Sequence, residues 1–145
     1  MSADSLFSFA STLVLPGWLL LVLLPRWKYS ATLVAAVVIP ALLGLLYAWL
    51  IVSHIGSTDG GFGSLAEVRA LFSNEFLLLA GWIHYLAFDL FIGSWEVRDA
   101  QRHGVHHLAV IPCLVLTFLF GPVGLMLYFV IRTGVTRRIL LANGA

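Results

Sequence analysis

The sequence predicts an all-α integral membrane protein, a bundle of four transmembrane helices with a short interfacial helix between the second and the third. Of its 145 residues, 61% are hydrophobic and only 10% are charged. A soluble domain carries about a quarter of charged residues, so this chain cannot build a water-exposed surface. Its charged residues separate apolar runs of about 20 residues, the length that crosses a bilayer. Residues 1–145 are therefore predicted to form a single membrane domain.

Four apolar runs mark the predicted spans, at about residues 5–25, 31–53, 76–97 and 108–131. Arg26 and Lys28 close the first run, and Arg132 closes the fourth. Lipid offers no hydrogen-bond partner to backbone groups, so these groups must pair within a helix or a closed barrel, and helices are predicted here. The strands of a barrel alternate polar and apolar side chains, whereas residues 19–24 are an unbroken run of Leu and Val.

A short helix is predicted over residues 65–72, in the connection between the second and third spans. Ser64 and Glu67 have the spacing of a capping box, which satisfies two backbone N–H groups at a helix start. Leu65, Val68 and Phe72 share one side, so the helix is expected to lie along the membrane interface. An ordinary turn of the loop explains the same residues equally well.

The charges exclude one class of partner and leave the orientation open. The 8 basic and 7 acidic side chains are nearly balanced, which excludes nucleic acid, because that partner needs a concentrated basic face. Four spans would place Arg26, Lys28, Arg98 and Arg102 on one side and Arg69, Arg132, Arg137 and Arg138 on the other. An excess of Lys and Arg marks the cytoplasmic side of a membrane protein. Because the two sides carry equal numbers here, the orientation is not predicted.

The start of the chain suggests a location. Asp4 and no basic residue precede the first span, so a cleaved signal peptide is not predicted. An Arg- and Ser-rich transit peptide is also missing. The expected location is therefore a bacterial inner membrane.

Prolines interrupt three of the four spans, at Pro16, Pro40, Pro112 and Pro122. Each removes a backbone donor and allows a kink, and a neighbouring group must satisfy the freed carbonyl. The segment 121–124, Gly-Pro-Val-Gly, is the sharpest interruption. Plain packing explains it, but a broken helix can also line a cavity, which makes Pro122 a candidate for the wall of a binding site.

Asp89 is the most informative residue, because it lies in the middle of the third span. An acid at the bilayer centre costs at least about 2.5–3.5 kcal/mol and normally faces the protein interior, where it serves a function. A carboxyl group that stays neutral there can act as a general acid. Trp82 and Tyr85 lie within about 60° of Asp89 around the helix. Tyr47 is expected at the same depth if the second and third helices pack antiparallel.

His84 is the candidate base, with a structural role as the alternative interpretation. It lies about 140° around the helix from Asp89 and roughly 7.5 Å along it. A regular helix therefore cannot bring both side chains to one atom. They can share a site only through a bulge, a bridging water or a ligand large enough to touch both.

A second polar group follows the third span. Glu96, Asp99 and His103 form one stripe if the helix continues, and His107 starts the fourth span. A solvated helix end is the favoured interpretation of these residues. Carboxylates beside imidazoles also suit a divalent metal, so Asp99, His103 and His107 form a weak alternative metal site. No cofactor is otherwise expected.

Several short motifs recur in one known family. They are Phe72-Ser73-Asn74-Glu75, Trp82-Ile83-His84, Asp89-Leu90-Phe91, Asp99 and Pro122-Val123-Gly124. In this order they resemble the Aba4-like (abscisic-acid-deficient-four-like) family of small four-span membrane proteins. Plant members of that family are implicated in forming neoxanthin from violaxanthin, a carotenoid epoxide. The resemblance implies a four-span fold and a role in carotenoid or other isoprenoid metabolism.

The activity that this resemblance implies is isomerisation of an epoxy-carotenoid or a similar lipid-soluble molecule. Asp89 would protonate the epoxide oxygen and His84 would accept a proton elsewhere on the same substrate. Tyr47, Trp82, Tyr85 and Pro122 are the expected substrate-binding residues.

Two other functions are left open. The chain could be a non-catalytic subunit that binds a pigment or lipid, as a homo-oligomer or beside a partner enzyme. It could also conduct protons through Asp89, although one mid-membrane acid provides no continuous relay.

Overall fold

The computed structural model describes residues 2–137, and within that range the chain is helical and has no β-strand. The helices are α1 (Ala3–Leu23), α2 (Ile39–His54), α3 (Leu65–Leu71), α4 (Glu75–His103), α5 (His107–Phe120) and α6 (Pro122–Thr136). A π-helical segment, Ser30–Val38, leads directly into α2. Its i→i−5 bonding is seen where Val34 N–H donates to the Tyr29 carbonyl at 2.9 Å.

Three helical stretches are long and apolar enough to cross a membrane: Ala3–Leu23, Ser30–His54 and Glu75–His103. They coincide with the first three predicted spans, but the third is longer than predicted and continues to His103. Asn74 caps α4, since its side-chain oxygen accepts from the backbone N–H groups of Phe76 and Leu77. The short helix predicted between the second and third spans is present as α3, where the Ser64 hydroxyl accepts from Glu67 N–H at 3.2 Å.

The predicted fourth span is not a single helix. Gly121, with φ +41° and ψ −94°, divides residues 108–131 between α5 and α6, which have 14 and 15 residues. A Cβ added at Gly124 would lie 2.5 Å from the carbonyl oxygen of Cys113 and closer still to the backbone nitrogen of Thr117. Along a continuous helix Cys113 and Gly124 would be about 16 Å apart. The chain therefore reverses at Gly121, and α6 packs back along α5.

This reversal makes a helical hairpin, and the count of four transmembrane helices is not confirmed. Each half of the hairpin is roughly 21–23 Å long, shorter than the hydrocarbon core of about 30 Å. The sequence pattern could not reveal this because 24 apolar residues have the length of one span whether or not the chain turns back. We call residues 107–136 the hairpin.

Contacts between the helices fix their directions. Trp82 near the start of α4 donates to Ser11 at 3.1 Å, and Gln101 near the end of α4 donates to the Pro25 carbonyl, so α1 and α4 run parallel. At the end of α2, His54 stacks on Phe76 at 4.4 Å, so α2 runs antiparallel to both.

The hairpin starts and finishes at the same end of the bundle. His107, at the start of α5, lies 3.0 Å from the Val22 carbonyl near the end of α1. Arg132, near the end of α6, bonds to Asp99 near the end of α4 at 2.6 Å. We call this the basic end, because it collects six of the seven basic residues within 2–137: Arg26, Lys28, Arg98, Arg102, Arg132 and Arg137. Arg69 lies at the opposite end, and Arg138 is outside the described residues.

Candidate functional site

Asp89 lies at the middle of the 29-residue α4, beneath the turn of the hairpin. A Cβ added at Gly121 would lie 2.9 Å from one carboxylate oxygen of Asp89, so the glycine allows the turn to approach the acid. The other oxygen, Oδ2, is shielded from solvent and has no hydrogen-bond partner among the described residues. The carboxyl therefore faces the hairpin turn, and the residue as a whole is partly exposed.

Tyr85 connects Asp89 to the hairpin. Its hydroxyl donates to the Phe118 carbonyl at 3.0 Å and lies beside the Asp89 carboxyl. In an unbroken helix the Phe118 carbonyl would pair with the N–H of residue 122, which is proline and has none. Tyr85 therefore satisfies the carbonyl that Pro122 frees. This gives Pro122 a definite role at the hairpin turn, where it starts α6.

A groove with a volume of about 660 Å³ runs beside the half of α4 that the hairpin does not cover. Its walls are mostly apolar, two acids lie at the end where α1 and α4 begin, and Tyr85 lies at the other end. The lining residues are Ala3, Asp4, Phe7, Phe72, Glu75, Leu78, Leu79, Gly81, Trp82 and Tyr85. The groove therefore extends from one end of the bundle to the tyrosine that lies beside Asp89.

Trp82 shapes the wall of this groove. Its ring stacks on Tyr85 at 5.3 Å and contacts Phe7 at 5.6 Å, while its indole N–H donates to Ser11. Two of the predicted substrate-binding residues, Trp82 and Tyr85, thus line one groove, and Tyr85 lies next to Asp89.

His84 and Tyr47 lie elsewhere. His84 is exposed, stacks on Phe88 at 4.4 Å, and has its ring 5.9 Å from that of Tyr47. Both residues line a separate apolar groove of about 320 Å³ between α2 and α4. The structure therefore does not bring His84 to Asp89, because α4 is regular between them and holds the two side chains on different faces.

The prediction of a solvated helix end after the third span is wrong. Glu96 is 0% exposed and Asp99 is 8% exposed. Asp99 accepts from the Tyr128 hydroxyl and from Arg132 Nε, both at 2.6 Å, and Arg132 is itself only 1% exposed. The hairpin covers this part of α4, and that burial is invisible while residues 108–131 are treated as one straight span.

The weak alternative metal site is not assembled. Asp99 is engaged by Arg132 and Tyr128, while His107 is bonded to the Val22 carbonyl on α1. His103 lies between the Asp99 carbonyl, at 2.9 Å from Nδ1, and Arg132, at 3.1 Å from Nε2. Within residues 2–137, no group of three or more His, Cys, Asp and Glu side chains converges as metal ligands would.

Sequence reasoning missed Thr117, Tyr128 and Arg132 as partners of the acids, and it interpreted Glu96 as part of a solvated helix end. The Thr117 hydroxyl donates to Glu96 Oε1 at 2.9 Å, and Trp95 contacts the Tyr128 ring at 5.5 Å. Thr117, Tyr128 and Arg132 sit on the hairpin, which folds them onto the stripe of acids on α4. The one available signal was the spacing of Asp89, Glu96 and Asp99, which places all three acids on one face of a helix.

Comparison with known proteins gives one family and one curated relative. The model of the ABA DEFICIENT 4-like family matches residues 5–128. Protein ABA DEFICIENT 4, chloroplastic, of Arabidopsis thaliana is 29% identical over 139 residues, which cover 90% of this chain and 61% of that protein. The chain thus spans less than two thirds of the length of this relative. No solved structure matches the chain.

These findings correct one expectation. A bacterial inner membrane was expected from the start of the chain, and this expectation is wrong, because the named relative is a chloroplastic plant protein. The predicted family resemblance is confirmed, since the family match covers most of the chain.

Proposed function

Because the chain belongs to the ABA DEFICIENT 4-like family, we propose that it is a membrane protein of carotenoid or other isoprenoid metabolism that uses Asp89 for acid–base chemistry. The single observation that supports this most strongly is a carboxyl group at the middle of a membrane-length helix, with one shielded oxygen left without a partner. Polar groups inside a membrane are costly and usually functional. The groove that ends at Tyr85 provides the route by which a lipid-soluble molecule reaches this acid.

The proposed membrane placement has three spans and a re-entrant hairpin. Non-helical backbone such as the turn at Gly121 is tolerated at membrane depth where protein surrounds it, and here Gly121 itself is buried against Asp89 of α4. Because the hairpin returns to its starting side, six described basic residues share one end. Lys and Arg are in excess on the cytoplasmic side of membrane proteins, so the basic end faces the cytoplasm, or the stroma if the membrane is a chloroplast membrane like that of the named relative.

The groove suits one end of a long apolar molecule. Its volume falls within the range of about 300–1,000 Å³ that is usual for ligand sites. Asp4 and Glu75 at the outer end can accept hydrogen bonds from a hydroxyl group on the substrate, and the apolar walls contact its hydrocarbon part. A hydroxylated isoprenoid has this distribution of polar and apolar groups.

The proposed reaction is an isomerisation in which no atom is gained or lost. The Asp89 carboxyl donates its proton to an epoxide oxygen and a carbon–oxygen bond breaks. A proton then leaves a carbon atom of the substrate and the new hydroxyl remains. His84 lies on another face of α4, so the group available for the second transfer is the Asp89 carboxylate that the first transfer creates. The Tyr85 hydroxyl gives its one proton to the Phe118 carbonyl, so it can accept a hydrogen bond from the neutral Asp89 carboxyl but cannot donate one to the carboxylate.

The function is tested with purified protein in lipid nanodiscs and a single epoxy-carotenoid, with the products separated by chromatography. We expect an isomer of the substrate to accumulate without any added enzyme or cofactor. Binding of the pigment without turnover would instead indicate a non-catalytic partner of another enzyme. If the protein neither bound nor converted the pigment, the proposal would be contradicted.

A further inference from the structure

We propose that Glu96 holds a proton inside the membrane and relays it between the basic end and Asp89. This goes beyond the proposed reaction and does not require it, because the relay is a property of the protein without substrate. The observation behind it is a carboxyl group that is 0% exposed and has Oε2 without a hydrogen-bond partner among the described residues.

The two oxygens of Glu96 are not equivalent. Oε1 accepts from the Thr117 hydroxyl on α5 at 2.9 Å, so this oxygen is satisfied by a neutral donor. A buried carboxylate needs a paired cation or several donors, and one threonine hydroxyl is a weak substitute. A neutral carboxyl needs fewer donors than a carboxylate and no paired cation, and its second oxygen carries the proton. The geometry therefore points to Oε2 as the atom that holds it.

Asp99, one turn along α4, is compensated in a different way. It receives a charge-assisted bond from Arg132 and a second bond from the Tyr128 hydroxyl, both at 2.6 Å. Two buried acids on one stripe thus have different partners, a guanidinium for Asp99 and a hydroxyl for Glu96. This difference suits a fixed ion pair beside a site that gains and loses a proton.

Polar groups continue from Glu96 in both directions. The titratable and charged groups along its stripe and on the two helices that cover it are Asp89 and Asp99 on α4, Cys113 on α5, and Tyr128 and Arg132 on α6. Toward the basic end, the partly exposed His103 has Nε2 3.1 Å from Arg132. Arg132 stays charged and relays no proton, so the proton passes between His103 and Glu96 through water beside the Arg132–Asp99 pair. Toward the interior, Asp89 lies two turns away, about 10 Å along the helix. That gap is too long for direct transfer, so water must enter it beneath the hairpin turn when the relay operates.

The relay is tested by infrared spectroscopy of the protein in nanodiscs without any pigment. The stretching band of neutral carboxyl groups is followed while light water is replaced by heavy water. We expect the Glu96→Gln variant to lose one neutral-carboxyl band. The Asp89 band is identified by its loss in the Asp89→Asn variant. In Glu96→Gln we expect this band to exchange about tenfold or more slowly than in the unaltered protein, which corresponds to about 1.4 kcal/mol or more on the barrier. A matched control is Glu67→Gln, which changes an exposed glutamate on α3.

Two results would overturn the relay. One is an unchanged set of neutral-carboxyl bands in Glu96→Gln, and the other is an Asp89 band that exchanges as fast as before. If Glu96→Gln does not fold, Thr117→Val keeps the carboxyl and removes the hydroxyl that donates to it. The Glu96 band must then shift in frequency, and an unshifted band would also refute the proposal. None of these readouts depends on turnover, so failure of the relay and failure of the isomerase proposal are separable.

Discussion

Replacing Asp89 by asparagine is expected to lower the rate of epoxy-carotenoid isomerisation by about 10²–10⁴-fold, the usual contribution of general acid–base catalysis. Asparagine has nearly the same shape as aspartate but cannot give up a proton to the epoxide oxygen. It also keeps a hydrogen-bonding side chain beneath Gly121 and beside Tyr85, so the fold and the groove are expected to survive. Single-turnover chromatography in nanodiscs measures the rate, and a pigment absorbance titration measures binding.

The matched control for this prediction is Asp59→Asn. Asp59 is an exposed acid in the loop between α2 and α3, so the same chemical change there is expected to alter neither rate nor binding. The catalytic role of Asp89 would be refuted if the Asp89→Asn variant turned over at the rate of the unaltered protein. If the Asp89→Asn variant lost both pigment binding and turnover, the acid would be needed to hold the substrate and would not be assigned as the proton donor.

Replacing Arg132 by alanine is expected to be the most destabilising change at the basic end. The ion pair that Arg132 forms with Asp99 is buried, with relative exposures of 1% and 8%. Removing one partner of a buried ion pair costs about 3–5 kcal/mol, because the other charge is left without compensation. The hairpin is also expected to loosen, since this pair joins α6 to α4. Thermal unfolding in detergent, followed by circular dichroism, measures the loss.

A second variant separates the ion pair from simple packing. Removing both charges with Arg132→Met and Asp99→Asn together is expected to be less destabilising than Arg132→Ala alone, because no buried charge is left unpaired. Arg102→Ala, at an exposed position on α4, controls for the loss of an arginine. A double variant as unstable as Arg132→Ala would mean that the ion pair is not what holds this end together.

The first three membrane-length helices follow from the sequence because physical limits act locally there. A run without charges between residues 5 and 25 has the length of a bilayer, and the side chain of Ser64 marks the start of the short helix by its capping chemistry. The inward position of Asp89 also follows, since a carboxyl facing lipid would be too costly. The separation of His84 from Asp89 follows from helical periodicity alone, and the structure confirms it.

The hairpin could not be predicted, because the signals for a kink and for a full reversal are the same residues. Gly121 and Pro122 permit either outcome, and the choice depends on contacts that form only in the folded protein. Gly124 must pack against the backbone of Thr117, and Tyr85 must reach the Phe118 carbonyl. Once the reversal is known, the burial of Glu96 and Asp99 and the collection of basic residues at one end follow directly.

The side of the membrane on which residue 134 lies tests this account most directly. Single cysteines are introduced at Ser2, Tyr29, Asp59 and Gly134, all exposed, in a protein whose one native cysteine, Cys113, is replaced by serine. Sealed vesicles of known sidedness are then treated with a membrane-impermeant maleimide. A re-entrant hairpin predicts that Gly134→Cys reacts from the same side as Tyr29→Cys, and that Ser2→Cys and Asp59→Cys react from the other. If Gly134→Cys reacts together with Ser2→Cys, the hairpin crosses the membrane and the arrangement around Asp89 described above is wrong.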